Sequence, residues 1–175
     1  MSSAPPRPSM REIFDAHAAY IWRTLRHLGI PESDIEDLCQ EVFVTVHRKL
    51  DDFAGRSTLR TWIYGICLRV ASDHRRKAHV RRERAAEDPA RDVAEQRDRG
   101  PDQRHEQRAL VETLLSCLDD DKRAVFVLYE LEGFSMKEVA EIVGCPLQTA
   151  YSRLHAARDR LLVEAKSSGL AGSGT

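Results

Sequence analysis

The chain has 175 residues, with 27 Lys and Arg against 28 Asp and Glu and a hydrophobic content of 42%. This size suits one or two small domains, and the near-zero net charge excludes a freestanding polycation that coats nucleic acid. No apolar run approaches the roughly 18 residues that span a bilayer, and the proline-bearing N-terminus lacks the apolar core of a signal peptide, so we expect a cytoplasmic protein.

Helical periodicity dominates the chain and strand signals are nearly absent, which predicts an all-α protein. We expect a disordered tail over residues 1–10 and a first domain over 11–84, with helices over about 11–29, 33–50 and 58–77. Their apolar stripes are predicted to share one core. Ser33 and Glu36 have the spacing of a capping box at the start of the second helix, and Gly29 is expected to end the first.

The second predicted helix is acidic outside its apolar stripe. Acidic residues early in a helix suit the helix dipole, so this face is compatible with a simple solvated surface. The alternative is a docking surface for a basic partner. Both interpretations stay open on the residues alone.

The end of the third predicted helix is strongly basic, with a local net charge of +5 over residues 69–84. A dipole effect fades within one turn and this cluster is longer, so the pattern favours a surface that contacts phosphates. Trp62 falls on the apolar stripe and is assigned to the core. Tyr64 lies off that stripe, and we expect it to be exposed, where it could stack on an unpaired base.

A polar linker is predicted over residues 85–105, where Val93 is the only large apolar residue among charges, Pro89, Gly100 and Pro101. Such a composition cannot bury enough surface to offset chain entropy, so we expect this linker to be flexible. Its reach, from ~25 Å as a coil to ~70 Å extended, would let the two domains sit about two DNA turns apart.

The second domain is predicted over residues 106–166 and ends in two short helices joined by a tight turn. Ser135 and Glu138 form a capping box, and Phe134 lies where a hydrophobic staple needs an apolar residue. Gly144 ends the first of these helices and Pro146 blocks its continuation. This layout is typical of a helix-turn-helix, although helical proteins that never touch DNA also contain such pairs. Residues 167–175 are expected to be a disordered tail.

The four cysteines lie far apart without a Cys-x-x-Cys pair, and the seven histidines are scattered. We expect buried thiols rather than a disulfide framework or a zinc site. The chain also lacks a Gly-rich phosphate loop and a nucleophile motif. We therefore predict no metal, no cofactor and no catalytic residue, and an enzyme is the weakest interpretation.

Three stretches carry a family resemblance: Asp34 to Phe43, Thr58 to Ile66 with its continuation Asp73 to Arg76, and Ser152 to Arg158. In this order, and split by a polar linker, they resemble a bacterial RNA polymerase sigma factor of the extracytoplasmic-function (ECF) branch of the sigma-70 family. The resemblance covers about residues 11–166. It implies that the first domain resembles sigma region 2 and the second resembles sigma region 4.

The resemblance also implies roles for individual residues. Core polymerase would be bound by Asp34, Glu36, Asp37, Gln40 and Glu41. The melted −10 promoter strand would be bound by Arg60, Tyr64, Arg69, Asp73, His74, Arg75, Arg76, Lys77 and Arg81, with a flipped base held in the loop after Asp73. The duplex −35 element would be read by Gln148, Thr149, Tyr151, Ser152, Arg153, His155, Ala156 and Arg158.

Within that last set, the resemblance implies that Tyr151, Ser152, His155 and Ala156 face bases. Thr149, Arg153 and Arg158 would contact the backbone or support the helix. Many relatives carry Lys or Arg where this chain has Tyr151 and Ala156, so a bidentate Arg contact to guanine is missing there. The promoter sequence therefore cannot be carried over.

The family implies three partners, which are bacterial core polymerase, promoter DNA and an anti-sigma protein that clamps the two domains. Residues 147–166 carry a local charge of only +2, so this domain should bind DNA poorly by itself. Two rival interpretations remain. A stand-alone helix-turn-helix regulator would dimerise on a palindrome, and a purely helical adaptor would make no contact with nucleic acid.

Overall fold

In the computed structural model, residues 8–86 and 103–168 are described, and for 82–86 and 103–108 only the backbone is. Within these residues the chain forms seven α-helices and no strand, which confirms the all-α prediction. The helices are α1 (Met10–His27), α2 (Glu32–Lys49), α3 (Leu59–Ala86), α4 (Gln103–Ser116), α5 (Asp120–Phe126), α6 (Met136–Val143) and α7 (Leu147–Ser167). Most of the predicted linker, and most of both predicted tails, lies outside the described residues.

The first lobe consists of α1, α2 and α3, whose apolar stripes share one core as predicted. Its fully buried members include Ile13, Ile21, Leu25, Ile35, Val42, Val46, Ile63 and Cys67. Trp62 packs partly buried against this core and lies 5.2 Å from the Phe53 ring. The helical spacing of Phe14, Ile21 and Leu25 predicts that Phe14 lies on the apolar stripe of α1, but it is 52% exposed and packs against Phe43 instead.

The helix starts of the first lobe differ from the predicted ones. The expected capping box of Ser33 and Glu36 is wrong, because α2 begins at Glu32 and the Ser33 hydroxyl donates to the Asp34 carboxylate at 2.8 Å. Pro31 already has an extended backbone before the helix, which fixes the helix start ahead of Ser33. A capping box that we did not predict joins Ser9 to Glu12 at the start of α1.

The second lobe consists of α4 to α7, and its helix-turn-helix has the predicted joints. Ser135 and Glu138 form the capping box, and Gly144 ends α6 with a φ of 69°, in the left-handed region. Phe134 and Val139 are both buried in the same core, together with Ala150 and Leu154 of α7. The spacing of Leu147, Ala150 and Leu154 at steps of three and four predicted one inward stripe on α7, but Leu147 is 46% exposed.

A π-helical turn over Val127–Leu131 follows α5 and was not predicted. The Glu132 amide donates to the Val127 carbonyl at 3.0 Å, and Gly133 then reverses the chain with a φ of 71°. This geometry turns the Glu132 side chain away from solvent, so that only 1% of it is exposed.

The two lobes pack against each other along α1 and α3. Val143 of α6 contacts both cores, and Ala124 of α5 is buried in the core of the first lobe. Tyr64 of α3 is buried in the core of the second lobe. The boundary between the lobes is therefore a packed interface with apolar and charged contacts.

Candidate nucleic-acid and polymerase interface

The acidic face of α2 consists of Glu36, Asp37, Gln40 and Glu41, and all four are exposed. They lie opposite the buried stripe of the helix, so α2 holds them on a rigid surface that the second lobe does not cover. Asp34 differs, because it is only partly exposed and its Oδ2 lies 2.8 Å from His74 Nε2. That contact joins the start of the acidic face to α3.

The basic segment of α3 consists of Arg69, Arg75, Arg76, Lys77 and Arg81, with Asp73 and His74 among them. The resemblance implied a loop after Asp73, and this is wrong, because α3 continues as a helix to Ala86. The run from Ala71 to Ala86 contains no Gly or Pro and is rich in Ala and Arg, which favour a helix. The segment is therefore a helical surface.

Within this segment several side chains already have partners. Arg69 donates from Nε to the Gly65 carbonyl at 2.9 Å, and Arg76 contacts Asp73 at 2.8 Å on the same helix. Arg75 is less exposed, because its Nε lies 3.0 Å from Asp120 Oδ2 of the second lobe. Lys77 and Arg81 are exposed.

Tyr64 does not have the exposure that we predicted, because only 1% of it is accessible. Its hydroxyl and that of Thr24 hydrogen-bond each other at 2.8 Å. Its ring packs edge-on against Tyr20 at 4.6 Å and against Phe134 at 4.9 Å. Tyr64 lies off the stripe that packs inside the first lobe, as predicted, but the second lobe covers it. In this arrangement it has no free face for a base.

The recognition face of α7 consists of Gln148, Tyr151, Ser152, His155 and Arg158, and all five are exposed. Ala150, Leu154 and Ala157 hold the opposite side of the helix in the core. Thr149, Arg153 and Ala156 are half-buried at the edges of the face. The arrangement thus presents amide, hydroxyl, phenol and imidazole groups from one rigid helix.

Two arginines of α7 are held by acids of the same lobe. Arg153 forms an ion pair with Asp121, and Arg158 donates from Nε to Glu130 Oε1 at 2.7 Å. The Arg158 guanidinium also lies 5.9 Å from the Tyr129 ring centroid. Each of these two side chains is therefore positioned by its own lobe before any DNA is bound.

A buried carboxylate that we did not predict lies between the lobes. Glu132 accepts from Arg23 of α1 through Nε at 3.4 Å and Nη2 at 3.2 Å. Arg60 of α3 donates from Nη2 to the Glu132 carbonyl at 2.7 Å and lies 3.5 Å from its carboxylate. From the sequence, a charged residue before a Gly is expected on the surface. No periodic pattern connects Glu132 to Arg23, 109 positions away.

His27 lies beside this carboxylate, with Nδ1 4.0 Å from Glu132 Oε1. Burial lowers the pKa of His27, and the neighbouring Glu132 carboxylate only partly opposes that effect. The imidazole is therefore neutral near pH 7, and its buried Nδ1 has no hydrogen-bond partner among the described residues. Arg23 and Arg60 supply the positive charge that faces Glu132.

The cysteine thiols of the first lobe are inert groups. Burial raises the pKa of Cys39 to about 11 and also raises that of Cys67. All four cysteines are free. In the part of the chain that the structure describes, no cluster of His, Cys, Asp or Glu could hold a metal ion, and no helix there is long and apolar enough to cross a membrane.

Two protein-family models match the chain, one on each lobe. The Sigma-70 region 2 model matches residues 13–82, and the Sigma-70, region 4 model matches residues 108–161. The chain belongs to the sigma-70 family. This sigma factor has an intact region 2 core, with the acidic face and the basic segment on it, and a region 4 helix-turn-helix with its recognition face exposed.

Curated relatives assign the sigma factor to the ECF branch. It is 32% identical over 154 residues to the ECF RNA polymerase sigma factor SigC of Mycobacterium tuberculosis, covering 87% of this chain and 80% of the relative. It is 31% identical over 142 residues to the ECF RNA polymerase sigma-E factor of Escherichia coli, covering 75% and 74%. A role as an RNA polymerase sigma factor follows, and a stand-alone regulator is not favoured.

Solved structures show the same fold. CnrH, in complex with the cytosolic domain of CnrY, matches with a TM-score of 0.69 and 24% identity, over 90% of this chain and 88% of that one. RpoE of Bartonella quintana, in complex with the anti-sigma factor NepR, matches with a TM-score of 0.72 and 23% identity, over 89% and 96%. At these identities the likeness concerns the fold alone.

Proposed function

We propose that this sigma factor acts in the cytoplasm by holding core RNA polymerase with its first lobe while the two lobes recognise separate promoter elements. The observation that carries the proposal is the matched order of region 2 and region 4, each with an exposed polar face on a rigid helix. The chain itself supplies no chemistry in this scheme. Nucleotide addition belongs to the polymerase.

The acidic face of α2 is the proposed contact for core polymerase. Glu36, Asp37, Gln40 and Glu41 are exposed on one side of a helix whose other side is fixed in the core. Asp34 belongs to the same surface, where its contact with His74 orients it. Carboxylates on a rigid surface favour a basic partner and raise the rate of encounter at low salt.

The basic segment and the start of α3 are the proposed contacts for the melted −10 strand. Arg69, Arg76, Lys77 and Arg81 offer accessible cations for phosphates, and Asp73, His74 and Arg75 lie among them on the same helix. Arg60 and Tyr64 extend this surface towards the N-terminal end of α3. Flipping a base costs a few kcal/mol, which stacking and phosphate neutralisation would offset.

Tyr64 and Arg75 take part in this scheme only when the second lobe moves away. In the closed arrangement Tyr64 is covered by Phe134, and Arg75 is paired with Asp120. Strand binding therefore requires an open arrangement. Because α3 is continuous to Ala86, a flipped base would be held on the side of this helix and not in a loop after Asp73.

The recognition face of α7 is the proposed reader of the −35 duplex. Tyr151, Ser152 and His155 project from the exposed side of the helix, with Ala156 at its edge and Gln148 at its start. Thr149, Arg153 and Arg158 are assigned to the DNA backbone or to support of the helix. The absence of Lys or Arg at positions 151 and 156 predicts readout by hydroxyl, amide and apolar contacts.

An anti-sigma protein is a further proposed partner. Two structures that share this fold are complexes, one of CnrH with the cytosolic domain of CnrY and one of RpoE with the anti-sigma factor NepR. A protein of that class would hold the two lobes together and hide both DNA surfaces. Co-purification of the tagged sigma factor from its native host tests this part of the proposal.

Run-off transcription with core polymerase and genomic promoter fragments tests the main proposal. We expect discrete transcripts that depend on this sigma factor. The double variant Arg75→Ala with Arg76→Ala should abolish promoter opening while core binding survives. Transcripts that do not depend on the chain, or a dimer that binds a palindrome without polymerase, would favour the stand-alone regulator instead.

A further inference from the structure

Glu132 is the least exposed of the carboxylates that form ion pairs in the described residues, with 1% of its side chain accessible. Moving a carboxylate out of water is costly unless cations replace its hydration shell. The cations here are Arg23 and Arg60, and both belong to the other lobe. The pairing therefore exists only while the lobes are closed.

Arg23 and Arg60 also share a contact within the first lobe, and this contact does not involve the second lobe. The Arg60 guanidinium lies 4.9 Å from the Tyr20 ring centroid and the Arg23 guanidinium lies 5.7 Å from the same ring. Tyr20 belongs to α1, so this shared aromatic support persists when the lobes separate. Opening would remove the second-lobe neighbours, which include Glu132, the nearby Glu138 carboxylate and the Phe134 ring at 4.7 Å from Arg60.

Two guanidiniums side by side form a site for an oxyanion. A carboxylate is planar and a phosphate is tetrahedral, but arginine binds the oxygen atoms of either group through paired N–H groups. Arg60 stands near the start of α3, about 22 Å along the helix from Arg75. That is the length of about six stacked nucleotides, so one strand could contact both Arg60 and Arg75.

Arg75 repeats the pattern further along this surface. In the closed arrangement its Nε lies 3.0 Å from Asp120 of the second lobe. Two arginines of the proposed −10 surface are thus occupied by acids from the lobe that reads the −35 element. Neither Arg60 nor Arg75 can exchange its acid for a phosphate without opening the lobes.

We propose that Arg23 and Arg60 form a binding site for a phosphodiester of single-stranded DNA, and that Glu132 occupies this site as an internal substitute which keeps the free protein closed. The proposal rests on the proposed function only in placing Arg60 on the strand-binding surface. It adds Arg23 as a DNA ligand and Glu132 as its competitor. Carboxylate and phosphate compete for the N–H groups of these two side chains, which are 52% and 45% exposed while Glu132 is bound.

The experiment compares wild type with Glu132→Gln, which keeps the shape of the side chain and removes its charge. The probe is a fluorescein-labelled oligo(dT) of about 12 nucleotides, a length within the range that single-strand-binding modules cover. Fluorescence anisotropy measures its affinity across a salt series, and small-angle X-ray scattering measures the radius of gyration. Glu141→Gln is the matched control, because Glu141 is an exposed acid on the same lobe.

We expect Glu132→Gln to bind the probe at least about fivefold more tightly than wild type, the lower end of typical coupling between sites. The plot of log affinity against log salt should steepen by about 0.7 for each additional phosphate that the protein neutralises. The radius of gyration should increase. Glu141→Gln should behave like wild type, and Glu132→Asp, with a shorter side chain, should lie between the two.

The Arg23→Ala variant tests whether Arg23 binds DNA or only holds the lobes together. As a ligand, its loss should lower the affinity of the Glu132→Gln protein, and the single variant should not exceed wild type. If Arg23→Ala alone tightened binding as Glu132→Gln does, Arg23 would be a latch and the proposed site would be overturned.

The remaining outcomes also decide the question. If Glu132→Gln opens without binding the probe more tightly, the proposed phosphate site is overturned. If it neither opens nor binds more tightly, the proposed competition between Glu132 and DNA is overturned. An equal rise in affinity for Glu141→Gln would indicate a general charge effect and overturn the proposal. Run-off transcription is a separate measurement, so failure of the sigma-factor assignment would be visible there while the oligo(dT) result stands.

Discussion

The Tyr64 ring stands edge-on to the Phe134 ring across the boundary of the lobes, with centroids 4.9 Å apart and planes at 82°. Tyr20 also packs edge-on against Tyr64, with planes at 81°, so the three rings form one edge-to-face stack. Aromatic pairs of this geometry contribute about 0.5–1.5 kcal/mol beyond their buried area. The stack supplies apolar contacts between the lobes, and the Glu132 ion pairs supply charged contacts between them.

Replacing Tyr64 by Phe should keep the ring stack and remove only the hydroxyl. The Thr24 hydroxyl donates its one hydrogen to the Tyr20 carbonyl, so it keeps that partner and is not left unsatisfied. We expect the free energy of unfolding to fall by about 1 kcal/mol, as for a typical lost hydrogen bond. Urea unfolding measures this value. Tyr151→Phe is the control, since Tyr151 is exposed and its change should stay within about 0.5 kcal/mol; equal losses in the two variants would contradict the burial of Tyr64.

Ser135→Ala should destabilise the helix-turn-helix by about 1 kcal/mol, because the Ser135 hydroxyl satisfies the Glu138 amide at the start of α6. The hydrogen bonds from Ser135 also lower the pKa of Glu138, so the charged carboxylate belongs to the cap. Ser33→Ala is the matched control at a site where the sequence also predicted a capping box. Its hydroxyl contacts only the Asp34 side chain, so chemical denaturation should reveal almost no change. A similar loss at both serines would mean that α2 is capped after all.

These two serines show what local pattern can and cannot predict. Both have an acid three residues later, but only Ser135 is preceded by the turn at Gly133 that leaves it free to cap. At α2, Pro31 sets the helix start first. Local signals therefore predicted the existence and faces of the helices, including the exposed recognition face of α7, and failed where two start signals competed.

The interface between the lobes could not be predicted for a different reason. A helical pattern identifies which side of α3 packs inside its own lobe, and Tyr64 lies off that side. Nothing in the pattern reveals that a segment 70 positions later covers the other side. Glu132 was missed likewise, because a charged residue reads as surface until its partners Arg23 and Arg60 are located in space.

Acidification should destabilise the closed protein through His27. Burial holds its pKa below the ordinary value of 6.5, so the unfolded chain binds more protons than the folded one as pH falls past 6.5. The free energy of unfolding therefore falls as the pH drops from 6.5 to the lower pKa that His27 has in the folded state. The slope is at most about 1.4 kcal/mol per pH unit. Unfolding at about pH 7.5 and about pH 5.5 measures the loss. His27→Gln should reduce the difference between the free energies of unfolding measured at the two pH values.

His47→Gln is the control for that measurement, since it removes an exposed imidazole of α2 in place of the buried one. An opposite outcome is also informative. If the protein became more stable on acidification and His27→Gln removed that gain, protonated His27 would be pairing with Glu132, and the closed state would be held by three cations instead of two.

Charge reversal on the acidic face should weaken the complex with core polymerase. In Asp37→Arg an exposed carboxylate at the centre of this face becomes a cation, and a basic partner would then meet like charge. We expect about a tenfold loss of affinity, equivalent to about 1.4 kcal/mol, that shrinks as salt is raised. Asp159→Arg makes the same change at an exposed position of α7 and should leave core binding intact. Both variants should unfold at the wild-type temperature, because neither side chain is buried. Equal loss in the two variants would assign the effect to net charge, and undiminished binding of Asp37→Arg would remove α2 as the polymerase contact.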